Sequence, residues 1–233
     1  MKMNKIVFFL PLLWAFQTMA QPLEMNSRKP DFKEIQKTIT DKKSPFFYET
    51  LFKRYESGDT TLTTTDYWYL YYGYSFHSKY MPYQTIEGME EFNKITKKEQ
   101  LDEKDFRKII SIAEKEMKKL PFELDLIWYE YVAWQGLKDT ARAKICRHQF
   151  MGLVDAIIAS GNGMSCETGF SVLYVAHEYV MLNVMGFQFS GKQSLTDALC
   201  DKLQVVSNEY GIDELFFDVN RIFKVNMQLI NEK

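Results

Sequence analysis

The sequence predicts an α+β fold: a helical layer first, then a small antiparallel sheet of about four strands, then a C-terminal helix. Three observations lead there. Apolar residues recur at helical spacing between Phe32 and Ala159. From Phe170 onward, β-branched and aromatic residues rise and period-two alternation appears. Helices and strands are segregated along the chain, the pattern of α+β domains rather than of alternating α/β units.

The elements follow in order. Asp31 can cap a short helix with Phe32, Ile35 and Ile39 on one stripe. Ser44-Pro45 predicts a second helix start, running through Leu51, Phe52 and Tyr55 to Ser57-Gly58-Asp59. After the threonine cluster, Asp66 opens a helix carrying Tyr67, Leu70, Tyr71 and Tyr74, broken by Met81-Pro82-Tyr83. Leu101–Leu120 reads as helix, with Phe106, Ile109, Ile110, Ala113 and Met117 on one face. Pro121 ends it and opens the next, which carries Leu124, Ile127, Trp128, Tyr131 and Val132. A Gly136–Asp139 turn leads to a helix over Ala141–Ala159, closed by Ser160-Gly161-Asn162-Gly163 with a glycine as left-handed cap. Strands are expected at Phe170–Ala176, at Tyr179–Met185, around Leu203 and Val205, and at Leu215–Val219. Ile222, Phe223, Met227 and Ile230 mark the last helix. The hairpin of Phe122–Gln135 with the helix from Ala141 is tetratricopeptide-like, without a clean 34-residue period.

Residues 1–20 have the pattern of a secretory signal peptide: Lys2 and Lys5, the apolar run Ile6–Phe16, then Thr18-Met19-Ala20. The run is shorter than the roughly 20 residues of a spanning helix. Gln21 and not a cysteine stands directly after the expected cut, which disfavours a lipoprotein. The organisation expected is signal peptide 1–20, flexible leader 21–30, helical region 31–163, and 164–233 as sheet plus helix packed with the helices in one domain. The mature chain is expected to be exported and soluble, in the periplasm or outside the cell, with no integral membrane segment after cleavage. No Asn-x-Ser/Thr acceptor occurs, in line with a bacterial envelope protein.

Loss of Lys2 and Lys5 leaves 27 basic against 31 acidic residues. That balance argues against nucleic acid as a partner. The basic run Lys115–Lys119 sits at a helix end, where it complements the dipole. With 46% hydrophobic and 15% aromatic residues, the chain can bury a large core. Cys146, Cys166 and Cys200 are an odd set for an oxidising compartment. Cys166 with Cys200 is the pair to test for a bridge, beside the simpler reading of three buried thiols. Their spacing fits no zinc motif, and no metal or cofactor is expected.

Catalytic patterns are scarce. His177-Glu178 lacks the second histidine of a zincin, since Met181 stands four residues on. Both are expected at a strand start or turn, bonded locally. Cys146 and His148 fall on different helix faces, and His77 has a helix-end capping role. Gly161–Ser165 lacks the Gly-Lys-Ser/Thr ending of a phosphate loop, and Ser165 and Ser171 lie in no nucleophile elbow. Carboxylates are too many for spacing alone to select a glycosidase pair. The aromatic band from Tyr67 to Tyr83 is the most unusual local feature. It reads either as a ligand or partner groove or as a helix buried between others.

The segments Leu70-Tyr71-Tyr72-Gly73-Tyr74, Ser160-Gly161-Asn162-Gly163, His177-Glu178-Tyr179 and Glu214-Leu215-Phe216-Phe217-Asp218-Val219 occur in that order. In this the chain resembles the bacterial secreted family catalogued as domain of unknown function 4919, from about Asp31 to the C-terminus. The resemblance implies a secreted protein and carries over no catalytic residue; it makes His177, Glu178 and Tyr179 positions to watch. The candidate binding residues are therefore Tyr71, Tyr72, Tyr74, His177, Glu178 and Tyr179. The function expected is a non-enzymatic binding or interaction module of the envelope, taking an envelope protein or a small ligand. The alternative is a hydrolase using carboxylates or His177 with Glu178.

Overall fold

The computed structural model describes residues 28–231. The expected signal peptide and most of the expected leader lie outside the described residues. The leader is docked from Arg28 onward: the Arg28 amide donates to the Ala159 carbonyl, and Lys29 Nζ reaches Asp218 and the Cys166 carbonyl, both at 3.2 Å.

Seven helices come first: α1 (Phe32–Thr40), α2 (Tyr48–Glu56), α3 (Thr64–Tyr74), α4 (Met89–Thr96), α5 (Glu103–Glu116), α6 (Leu124–Gly136) and α7 (Thr140–Ile158). Then follow β1 (Phe170–Ser171), α8 (Val175–Val184), β2 (Phe189–Leu195), β3 (Cys200–Val205), β4 (Glu214–Asp218) and α9 (Asn220–Asn231). The class is α+β, as the segregation of patterns predicts. The hairpin of α6 and α7 forms, but it does not establish a tetratricopeptide-like layer.

Local chemistry sets most helix starts. Asp31 caps α1 by accepting from the Lys33 and Glu34 amides. Thr63 with Asp66, and Asp102 with Asp105, form reciprocal capping boxes on α3 and α5. Ser44-Pro45 does not open α2. Ser44 instead folds a turn, accepting from the Phe46 and Phe47 amides, and the helix starts at Tyr48.

The sheet has the order β1-β4-β3-β2 and is mixed, not antiparallel. β2, β3 and β4 pair antiparallel, while β1 runs parallel to β4 with Phe170 opposite Phe217. β4 pairs with β1 only after α8, β2 and β3 have intervened, so the direction of β1 is not tied to β4 by a hairpin. The expected strand Tyr179–Met185 is a helix, α8, and the expected strand Phe170–Ala176 is only two residues long. α8 is buried on most sides, so no helical stripe appears in its sequence. With no strand beside it, a buried segment satisfies its amide and carbonyl groups only by coiling. β2 and α4 are elements that the sequence reading does not contain.

Ser160–Gly163 closes α7 differently from expectation. The cap residue is Ala159, in right-handed conformation, and Gly163 (φ 72°) lies beyond the helix end. Gly161 serves close approach: a Cβ there would lie 2.3 Å from the Thr168 carbonyl oxygen. That carbonyl accepts from both the Asn162 and Gly163 amides and closes the loop.

Cys166 and Cys200 are bridged, with Cα atoms 5.6 Å apart, and Cys146 is a free buried thiol. The three-thiol reading is thereby corrected. The bridge ties the loop after α7 to the start of β3, across a sequence separation of 34.

Candidate functional site

The aromatic band resolves first. α3 is buried on all sides from Asp66 to Tyr74, between α1, α2 and α7. Tyr71 and Tyr72 are fully buried and Tyr74 nearly so. Their hydroxyls serve backbone groups at the ends of other elements. Tyr72 donates to the Ser171 carbonyl at 3.0 Å, Tyr74 to Lys119 at 3.3 Å, and Tyr80 to Leu173 at 2.6 Å. Tyr55 on α2 does the same for Pro121. The tyrosines thus supply apolar bulk together with one polar atom for a loop carbonyl that would otherwise be orphaned. Of the two readings of the band, the buried one holds; Tyr83 alone stands half exposed at its end.

His177, Glu178 and Tyr179 lie in the first turns of α8 and face in different directions. Correcting the expectation, they sit in a helix and bond over long sequence separations. His177 is buried and its Nδ1 is 2.7 Å from the Tyr71 hydroxyl. That hydroxyl already accepts from the Leu173 amide at 3.0 Å, so its own proton goes to Nδ1 and the ring carries its proton on Nε2. Nε2 has no hydrogen-bond partner among the described residues. Burial pushes the His177 pKa down to about 3, with the Phe122 backbone acting the other way. The ring is neutral at physiological pH.

Glu178 points to the sheet. Its Oε2 accepts from Gln193 Nε2 at 3.2 Å, and the same nitrogen donates to Asp201 Oδ2 at 2.8 Å. The Tyr179 hydroxyl donates to Gln193 Oε1, so the amide is held at both ends. Glu178 is fully buried, and burial followed by the charge of Asp201 pushes its pKa up to about 9. Its Oε1 has no standard partner. A proton on Glu178, donated toward Asp201, resolves both facts, since two adjacent carboxyls do not both ionise in a dry site. At neutral pH Glu178 is a carboxylic acid. The structure thus brings Glu178, Tyr179, Gln193 and Asp201 together and keeps Tyr71 and His177 as a separate inward pair.

This acid pair is sealed, whereas a concave surface lies elsewhere. α4 and α5 border an open groove of about 1090 Å³. Ile86 and Met89, both half-buried, give it apolar surface, and Lys94, Lys104 and Lys108 are among its charged residues. Lys98 pairs with Asp105 at 2.5 Å, and Lys108 with Glu91 at 3.1 Å. The hydrogen bond from Lys98 holds the Asp105 carboxyl below its ordinary pKa. The sequence reading misses this groove because it misses α4. The signal was present: Glu90 and Glu91 favour a helix start, and Met89, Phe92 and Ile95 recur every third residue.

Among the described residues, no group of three or more His, Cys, Asp or Glu side chains is placed to hold a metal. No described helix is long and apolar enough to cross a membrane. The model of the family described as Domain of unknown function (DUF4919) matches residues 33–228. The chain belongs to this family. The match confirms the resemblance read from the four segments and covers all elements from α1 into α9. No curated protein and no solved structure matches this DUF4919 chain.

Proposed function

We propose that this DUF4919 protein is an exported, soluble binding protein of the bacterial envelope, with the groove between α4 and α5 as its ligand face. The groove carries the reading: it is open, about 1090 Å³ in volume, and lined by both apolar and charged side chains. The Tyr71, Tyr72, Tyr74 and His177 positions support the fold that presents it. Glu178 and Tyr179 brace β2 through Gln193. Export is supported by residues 1–20 and by the Cys166–Cys200 bridge, a linkage that persists in oxidising compartments.

Two measurements test it. Osmotic-shock fractionation with mass spectrometry of the N-terminus is expected to find the chain outside the cytoplasm, beginning at Gln21. A photo-crosslinking residue at Ser111, in the groove, is expected to capture a partner that the same residue at Lys192 on β2 does not. Retention in the cytoplasm, or equal capture from both positions, rules the reading out.

A second reading, a hydrolase, rests on the proton that Glu178 holds beside Asp201. Such a pair combines a general acid with a carboxylate base. It requires Gln193 to swing away, since Glu178 is sealed beneath it. Its test is hydrolysis of chromogenic glycosides and esters by the wild-type chain. Activity lost in both Glu178→Gln and Asp201→Asn supports it; activity retained in both excludes it.

A further inference from the structure

Resting on the groove reading, we infer that the partner lays an acidic amphipathic helix between α4 and α5. Shape is the first argument. The walls are helices of eight and fourteen residues, about 12 and 21 Å long at 1.5 Å per residue. A cleft of that length between two helices matches a third helix, which brings apolar anchors at i, i+3, i+4 and i+7. Ile86 and Met89, both half-buried, are the apolar residues those anchors meet.

Charge selects the sign. The groove has five basic residues against the acids Glu90, Glu91 and Asp105. Lys98 and Lys108 consume Asp105 and Glu91. Arg107 pairs with Glu103 on its own helix. Lys94 and Lys104 have no ion-pair partner among the described residues, leaving two free cations against Glu90. Lys104 occupies the first turn of α5, where it is flanked by Glu103 and Asp105 and makes no ion pair with either. An acidic side chain arriving from a partner pairs with Lys104 and Lys94 together. Such rim charges chiefly govern the association rate and its salt dependence.

The test uses the full exported chain and two fluorescein-labelled 18-residue peptides, one of leucine and glutamate at helical spacing, the other with lysine for glutamate. Fluorescence anisotropy at low salt is expected to show saturable binding of the glutamate peptide only. Binding should weaken about tenfold in the Lys94→Glu, Lys104→Glu double variant and fall further with added salt. Equal binding of both peptides, or an unchanged affinity in the double variant, overturns the inference. If neither peptide binds while the crosslinker at Ser111 still captures an envelope partner, the helix inference fails and the groove reading stands. If neither peptide binds and nothing is captured, both fail.

Discussion

The region where α3 meets α8 and the groove between α4 and α5 are built from similar residue types put to opposite use. In the first, tyrosine, histidine and glutamate are dry. Its polar atoms are held by hydrogen bonds within the protein or left orphaned, and burial decides the protonation: His177 loses its proton and Glu178 keeps one. In the groove, Glu91 and Asp105 each pair with a lysine, and the hydrogen bond from Lys98 holds the Asp105 carboxyl below its ordinary pKa. The difference teaches that burial sets the charge state of an ionisable residue when it is sealed, and that its ion-pair partners set its position when it is wet. A cluster of perturbed groups is therefore not by itself an active site here.

Four experiments sharpen or break that contrast. The largest effect is expected from Phe122→Ala. Phe122 is fully buried and lies edge-on to Tyr55 and Tyr74, with ring centroids at 5.1 and 5.0 Å. Its loss should cost about 3–5 kcal/mol in urea unfolding. A cost near that of a surface mutation would mean the interior is loosely packed.

Glu178→Gln comes next and has the opposite sign. The stability associated with Glu178 is fully present below its ordinary pKa of 4.5 and is lost as pH rises toward about 9. Glutamine stays neutral and can still donate to Asp201. The variant should therefore gain on wild type as pH rises, by on the order of 2–4 kcal/mol between pH 4 and pH 9. A constant difference across that range would show that Glu178 ionises normally. His177 acts at the other end: its contribution is present above 6.5 and is lost as pH falls toward about 3.

Tyr71→Phe is expected to cost about 1–3 kcal/mol, because it strips a partner from both the Leu173 amide and His177 Nδ1. An acid limb of unfolding shifted to higher pH in the variant would confirm the coupling to His177. The smallest effect on stability belongs to the Lys94→Glu, Lys104→Glu pair. Both residues are exposed, so the melting temperature should move by no more than about 2 °C while peptide binding changes. A large drop in melting temperature would make the groove charges structural.

Legibility in the sequence followed amphipathicity. α1, α5 and α9 have one apolar face and polar flanks, and each was readable. The alternation in β3 and β4 was equally plain, because one face of each strand is buried. α8 was misread because burial on most sides erases the periodicity. β2 was missed for the converse reason: Ser190 to Leu195 are all exposed and carry no alternation. Of the candidate positions, His177, Glu178 and Tyr179 were identified as a segment, but their three separate directions were not. Gln193 and Asp201 had no motif to announce them, since they join Glu178 only across 15 and 23 residues of chain.

By itself, the sequence determined the α+β class, the helix cap at Asp31, the family, and the signal pattern at the N-terminus. These depend on local hydrogen bonding and short-range periodicity, which are written within a few residues. Only the tertiary structure decided that the aromatic band is core, that Cys166 meets Cys200, that β1 runs parallel to β4, and that Glu178 carries a proton. Each of those depends on which distant groups exclude water from one another, and the exclusion of water is a property of the packed molecule rather than of any segment.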